Sequence, residues 1–356
     1  MILTMEQYTD NVGPCSPGGD KRLLSGTLGA SMKVLLVDPI DPSGVDLLRQ
    51  RVEVVLCKES SIEGIRRDAR DADAIITRSR LPDDFFDFAK KIKAVMIHGT
   101  GLDLVPVQAA TERGIPVANI PGGNAQSVAE YCVLAMLMLG RNAFEITTRM
   151  KTRPWDETRA LGAKAHEISA MTVGIVGVGA IGTRVAQICR IGFGMRVLGN
   201  QRRLDRLPPD AEPAPLDKLV AESDFVVVTC PLNPETHHLF DRARLAGMKR
   251  TAWLINVGRG AVVEETALID ALQRKTIAGA MLDVYEHYRL EPGHPLLSLE
   301  NAVLTPHLSG MTQESRKRMG TAAAEETLRM LAGERPKNFV NPEVWNKFNE
   351  RRSENR

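Results

Sequence analysis

Arg259 and His307 are residue types that could carry out a proton-coupled reduction, and both are placed where a sheet would present them. Arg259 follows the apolar run Ala252 to Asn256, and His307 follows Ala302 to Leu304 and a Thr-Pro pair. Between them, Asp283 follows the run Ala278 to Leu282. Each run reads as a buried strand, so each residue falls at a strand's carboxyl end, where open parallel sheets meet their ligands. An arginine there can grip a carboxylate and polarise a carbonyl, while a histidine delivers a proton as hydride arrives. Together they would suit the reduction of a keto acid. Taken singly the three have duller readings: a structural ion pair for Arg259, a satisfied loop histidine for His307, and a loop cap for Asp283. Their shared strand-end positions favour the chemical reading.

A second group of residues could hold the hydride source. Thr172 to Val176 reads as a buried strand, Gly177-Val178-Gly179-Ala180-Ile181-Gly182 supplies a GxGxxG turn, and Thr183 to Ile191 reads as a helix. One glycine permits the tight turn, one lets the backbone touch a diphosphate, and one allows close helix packing, with the helix N-terminus facing the anion. In such sites an acid at the end of the next strand commonly binds the ribose hydroxyls of NAD. Here that strand, Arg196 to Gly199, is followed by Asn200-Gln201-Arg202-Arg203, and no carboxylate comes before Asp205. Paired guanidinium forks suit an added 2′-phosphate, so the sequence favours NADP(H) while leaving NAD(H) open. The plainer reading is that both arginines point into water.

These residues need a framework of alternating strands and helices. Further strand candidates are Lys33 to Asp38, Ala74 to Thr77, Ala94 to His98 and Phe225 to Thr229, with helical patterns between most of them. Such alternation implies an α/β fold with parallel sheets and right-handed crossovers. At 356 residues the chain is long enough for two domains. Ser127 to Met150 forms the longest helical pattern, apolar almost all round at its start, which suits burial between domains or under a second subunit.

Composition excludes other classes. Hydrophobic residues make up 43% and charged residues 25%, with a net charge of +2 and no long like-charged run, so neither nucleic acid nor a membrane is an expected partner. The first 31 residues lack the apolar segment of a signal or anchor and read as a flexible extension. Five dispersed cysteines without CxxC spacing suit a reducing cytoplasm and argue against a zinc site. His237-His238 resembles a ligand pair, but adjacent residues rarely converge on one ion, so no metal is expected. His98 suits either ligand contact or burial, Trp155 suits packing better than the cleft, and Met136, Met138 and Met150 suit core or subunit contact.

The chain resembles the D-isomer-specific 2-hydroxyacid dehydrogenase family from about Met32 to about residue 345. The resemblance rests on His98-Gly99-Thr100-Gly101-Leu102-Asp103, Asn119 to Glu130, the glycine turn, Pro231 to Thr236, Asn256 to Gly260, Asp283, and Thr305 to Gly310. It implies two Rossmann-like doubly wound parallel-sheet domains, the dinucleotide domain (125–309) inserted in a substrate domain (32–124 and 310–356). It also implies a homodimer and reversible hydride transfer between a nicotinamide and a small 2-keto or 2-hydroxy acid. By the same resemblance Arg259 would bind substrate, His307 would be the acid/base, and the backbone of Thr100 and Gly101 would receive the carboxylate. Gly177, Gly179, Ala180, Ile181, Gly182, Gln201, Arg202, Arg203, Cys230, Pro231, Val257 and Asp283 would contact the cofactor, Asp283 through its nicotinamide amide.

One departure stands out. The family usually carries a glutamate five residues after this aspartate, bonded to the catalytic histidine, but here Tyr288 occupies that position. Tyr288 is therefore the first candidate to partner His307, ahead of Glu291 and then Glu286. A neutral phenol supports an imidazolium much less than a carboxylate does. Loss of that acid also leaves open a dinucleotide-responsive binding or corepressor-like protein, although Arg259 and His307 argue for catalysis. The substrate's side chain is not identified by Ser60, Ser61, Arg78, Ser79 or Arg80, although Arg78 and Arg80 would suit an acidic one.

Overall fold

The computed structural model of the chain describes residues 32–346 and 348, so the expected extension at 1–31 lies outside the described residues. Two parallel sheets form. The smaller contains β1 (Lys33–Leu36), β2 (Glu53–Leu56), β3 (Ala74–Thr77), β4 (Ala94–Ile97) and β5 (Val117–Ala118), in the order β2-β1-β3-β4-β5. The larger contains β6 (Thr172–Val176), β7 (Arg196–Asn200), β8 (Glu212–Pro213), β9 (Phe225–Val228), β10 (Trp253–Asn256), β11 (Gly279–Leu282) and β12 (Ala302–Leu304), in the order β12-β11-β10-β9-β6-β7-β8. In the larger sheet the chain reverses its direction of travel between β6 and β9, so the turn after β6 opens at the switch point where such sheets hold ligands.

Continuous apolar strands explain the layering. Phe225 to Val228 and Ala94 to Ile97 are wholly buried, as expected of parallel strands covered on both faces. Each large apolar side chain sealed in this way contributes about 1.5–3 kcal/mol of transfer free energy. The helix Gln313–Ala332 leaves the larger sheet and returns to the smaller one. Its Met319, Ala323, Leu328 and Leu331 share a core with Val34, Leu36 and Met96. It lies so close to the helix Pro42–Arg49 that a Cβ on Gly44 would overlap the Gly320 carbonyl. The larger sheet is thus inserted within the sequence of the smaller unit.

All nine strands expected from the alternation form, and three more appear among the described residues. β5 and β8 have only two residues each, and β2 is an edge strand with an exposed or half-buried face, so none gives a clear apolar run. The helix expected over Ser127 to Met150 is broken. It runs Ala125–Gly140 and restarts as Ala143–Arg149, because Asn142 takes a left-handed φ of 51°. Asparagine tolerates that conformation and so redirects the chain. The first segment buries Val128, Ala129, Cys132, Ala135 and Met136 against the larger sheet, whereas Leu134, Leu137, Phe144, Met150 and Trp155 remain exposed. Trp155, expected to pack, is therefore mostly exposed.

Candidate active site

The glycine turn follows directly from local sterics. Gly177 has φ 95°, and a Cβ there would come within 2.5 Å of the Cys230 backbone, so the turn and the loop after β9 can approach only through glycine. A Cβ on Gly182 would lie 2.6 Å from the Gly177 carbonyl oxygen, which closes the helix onto the turn. Gly179 has nothing within 4 Å of its Cβ direction and faces open space at the N-terminus of the helix Ala180–Gln187. Backbone amides with room in front of them fit a diphosphate. Ala180 and Ile181 form the first turn of that helix, which starts three residues earlier than the sequence pattern indicates. Buried Cys230 and Val257, with Pro231 beside them, close the opposite wall.

At the end of β7, Asn200 donates to the Ala214 carbonyl at 2.8 Å, and Gln201 donates to the Arg203 carbonyl at 2.9 Å. Arg202 pairs with Glu235 at 2.8 Å and Arg203 with Asp205 at 2.9 Å. Both pairs are exposed and therefore weak, so each guanidinium can be drawn to a stronger anion. The Arg202–Glu235 contact links the β7 end to the loop after β9.

Across the cleft, the Asn256 carboxamide shapes the loop after β10. Its Oδ1 accepts from Gly258 N at 3.1 Å and its Nδ2 donates to the Arg259 carbonyl at 3.0 Å. Arg259 then reaches toward the smaller sheet, where its Nε donates to Asp103 Oδ1 at 3.2 Å and Oδ2 at 3.1 Å. Its guanidinium lies directly against Gly101, so closely that a Cβ there would overlap it. The loop after β4, fixed by Thr100 Oγ1 donating to the Ile120 carbonyl at 3.3 Å, and the arginine after β10 thus meet in space although they are more than 150 residues apart.

His307 is set by Asp283. The buried carboxylate accepts from Thr305 Oγ1 at 2.7 Å, Leu308 N at 2.8 Å and Ser309 N at 2.9 Å, while the Asp283 carbonyl accepts from His307 N at 2.9 Å. Tyr131 joins through a 2.5 Å hydroxyl contact with Thr305. Both Asp283 oxygens thus serve the loop, the capping role among its readings. His307 is held at φ 53°, an uncommon conformation for a residue other than glycine and one that concentrates at functional sites. Its ring is open to the cleft, yet the surrounding walls strip water from it and hold its pKa below the ordinary value; Arg259 adds to that depression, and Asp283 opposes it.

The structure sorts the three candidate partners of His307. The Tyr288 ring lies edge-on to the imidazole, centroids 6.0 Å apart and planes 71° apart. Glu286 faces elsewhere: its Oε1 lies 2.8 Å from His238 Nε2, and its Oε2 accepts from Glu265 N at 3.3 Å. Glu291 is exposed on the following loop. His237 and His238 stack at 3.9 Å because His238 takes φ 51°, so these adjacent rings do share a face, with Glu286 beside them.

One cleft residue, Asp103, has no role assigned from sequence, and Arg78, expected only to suit an acidic substrate, has a further one. Asp103 belongs to the His98–Asp103 motif, but its pairing with Arg259 depends on a fold that brings distant loops together. Arg78, after β3, contributes its charge at both His98 and His307. His98 is buried with neither ring nitrogen bonded, and desolvation lowers its pKa to about 4, so it is neutral. Of the other candidates for substrate contact, Ser60 Oγ donates to the Val37 carbonyl, Ser61 caps a helix, Ser79 Oγ donates to Asp38, and Arg80 pairs with Asp83.

A dinucleotide turn facing an arginine and a histidine across a cleft defines an oxidoreductase class, and comparison with known proteins specifies it. Residues 133–309 match the model for the D-isomer specific 2-hydroxyacid dehydrogenase NAD binding domain. A glyoxylate reductase of Thermofilum pendens is 36% identical over 326 residues, covering 88% of this chain and 96% of that protein. A solved protein of Thermus thermophilus superposes with a TM-score of 0.78 at 35% identity, covering 87% of this chain and all of that one. An NADPH-dependent glyoxylate/hydroxypyruvate reductase of Sinorhizobium meliloti, solved with NADP and malonate, gives a TM-score of 0.76 at 27% identity, covering 87% and 96% of the two chains. The chain belongs to the D-isomer-specific 2-hydroxyacid dehydrogenase family. It is a nicotinamide-dependent oxidoreductase acting on 2-hydroxy acids.

Proposed function

We propose that the chain is an NADPH-preferring reductase of small 2-keto acids such as glyoxylate and hydroxypyruvate. The observation that carries this reading is the meeting of Arg259 with the Thr100–Gly101 loop in the cleft that His307 faces. A substrate carboxylate bridging Arg259 and the loop amides would place its carbonyl oxygen toward His307. Bound nicotinamide supplies the hydride, and the chain's residues bind, orient and protonate. Arg259 holds the carboxylate and draws charge from the carbonyl, and His307 gives its ring proton to the forming alkoxide. Asp283 acts by fixing the loop that carries His307. Arg202 and Arg203 stand at the β7 end ahead of the first carboxylate, which supports a 2′-phosphate over free ribose hydroxyls.

Initial rates of NADPH and NADH oxidation with glyoxylate and hydroxypyruvate test the proposal. The expected result is a higher kcat/KM with NADPH, and a preference reduced by about 10- to 100-fold in the double variant Arg202→Ala/Arg203→Ala through loss of charge-assisted contacts. Equal or better use of NADH refutes the cofactor assignment, and no turnover of any 2-keto acid refutes the activity.

The exposed stripe of Leu134, Leu137, Phe144, Met150 and Trp155 supports a homodimer in which this face is covered by a second copy. Light scattering should give a mass twice that of one 356-residue chain, and Leu137→Glu should lower it. A wild-type monomer at micromolar concentration removes this part of the reading.

A further inference from the structure

We propose that Asp103 is a positioning residue that fixes the Arg259 guanidinium across the cleft, so that one nitrogen alone is presented to the substrate carboxylate. The inference rests on Arg259 being the substrate's carboxylate ligand. Three contacts account for the orientation. Nε is shared between Asp103 Oδ1 and Oδ2 at 3.2 and 3.1 Å. Nη1 donates to the Gly258 carbonyl at 3.0 Å. Nη2 lies against Gly101, where any side chain would strike it. Two of the three guanidinium nitrogens are therefore committed within the chain, and the third points along the loop that would receive the carboxylate.

Geometry makes this more than a surface ion pair. Asp103 comes from the loop after β4 and Arg259 from the loop after β10, so the contact ties one sheet to the other at the cleft. Both side chains are roughly three-quarters buried, with 26% and 30% exposure, and a partly desolvated charged pair is screened less than an open one. Arginine has a long, freely rotating stem, and a partner that sets its rotamer before binding removes an ordering cost from the binding step. Asp103 also offsets charge. Arg259 and Arg78 both bear on His307, and the acids facing that ring are Asp283 and Asp103, with Tyr288 the neutral neighbour. Removing Asp103 would leave two arginines acting on the imidazole against one buried acid.

The opposite role is also open to test, because a carboxylate on Arg259 could instead compete with the substrate for it. Orientation predicts that loss of Asp103 weakens substrate binding, whereas competition predicts that it strengthens binding. The position of Nη2 decides between them: Asp103 occupies Nε, and Nη2 is the nitrogen that lies against Gly101 in the loop that would receive the carboxylate.

The experiment compares wild type with Asp103→Asn and Asp103→Ala in the full chain, measuring kcat and KM for glyoxylate with NADPH, and the inhibition constant of oxamate, a keto-acid mimic. Melting temperature and NADPH affinity are measured alongside to show that each variant is folded and loaded. Orientation of a charged donor gives an expected rise of about 10- to 100-fold in KM and in the oxamate constant, with a smaller fall in kcat and NADPH affinity within about twofold of wild type. A purely structural role would instead lower the melting temperature and NADPH affinity while leaving the KM of the folded fraction unchanged. Unchanged or lower KM and oxamate constants in folded Asp103→Asn overturn the inference while leaving the enzyme assignment intact. A wild type that neither turns over glyoxylate nor binds oxamate overturns both. If Asp103→Ala fails to fold, Asp103→Asn, which keeps the shape and one acceptor, decides the matter.

Discussion

Arg259→Ala is expected to lower kcat/KM for 2-keto acid reduction by about 10²- to 10⁴-fold, equivalent to about 3–5 kcal/mol of transition-state stabilisation. The magnitude follows from two tasks in one group, binding the carboxylate and meeting charge as it develops on the carbonyl oxygen. Arg259→Lys should recover little, because a lysine offers one point charge where the guanidinium uses Nε on Asp103, Nη1 on Gly258 and Nη2 toward the loop. Stability should change far less than activity, since the side chain is partly solvated and Asn256 shapes its loop independently. Steady-state kinetics and a melting curve on the same preparation separate the two effects. Near-normal turnover in Arg259→Ala would show that the carboxylate lies elsewhere.

The sequence revealed strand ends better than it revealed side-chain partners. Parallel strands buried on both faces must be continuous apolar runs, so β6, β9, β10, β11 and β12 could be read directly, and with them the positions of Gly177, Arg259, Asp283 and His307. The edge strand β2 and the two-residue strands β5 and β8 lacked that signature. Rotamers in loops answer to neighbours that periodicity does not specify. Nothing local indicated that Glu286 would turn to His238, a contact made by two left-handed or turn-forming loops from different strands. Nor could local pattern show that Arg202 would lie on Glu235 or Arg203 on Asp205. The break at Asn142 has the same origin: an apolar stripe continues through it, while one asparagine with φ 51° changes the helix direction.

His307→Gln should lower reduction by about 10²- to 10⁴-fold, because a carboxamide fills the ring's space but has no proton to give near neutral pH. The wild-type pH profile tests the same group without removing it. Burial and the nearby Arg259 charge set the His307 pKa below its ordinary value of about 6.5. The protonated ring is therefore fully present only at acid pH and is lost as pH rises through that lowered pKa. Reduction needs imidazolium, so its kcat/KM should decline from the acid side of neutrality, while oxidation of the hydroxy acid, which needs the neutral ring, should rise over the same interval. Tyr288 touches the ring edge without supplying charge, so Tyr288→Glu should place a carboxylate there and move both limbs upward by about one pH unit. Tyr288→Phe should leave them in place, because the phenol contributes packing and no charge. A reduction profile that stayed level from pH 6 to pH 9 would exclude His307 as the proton donor.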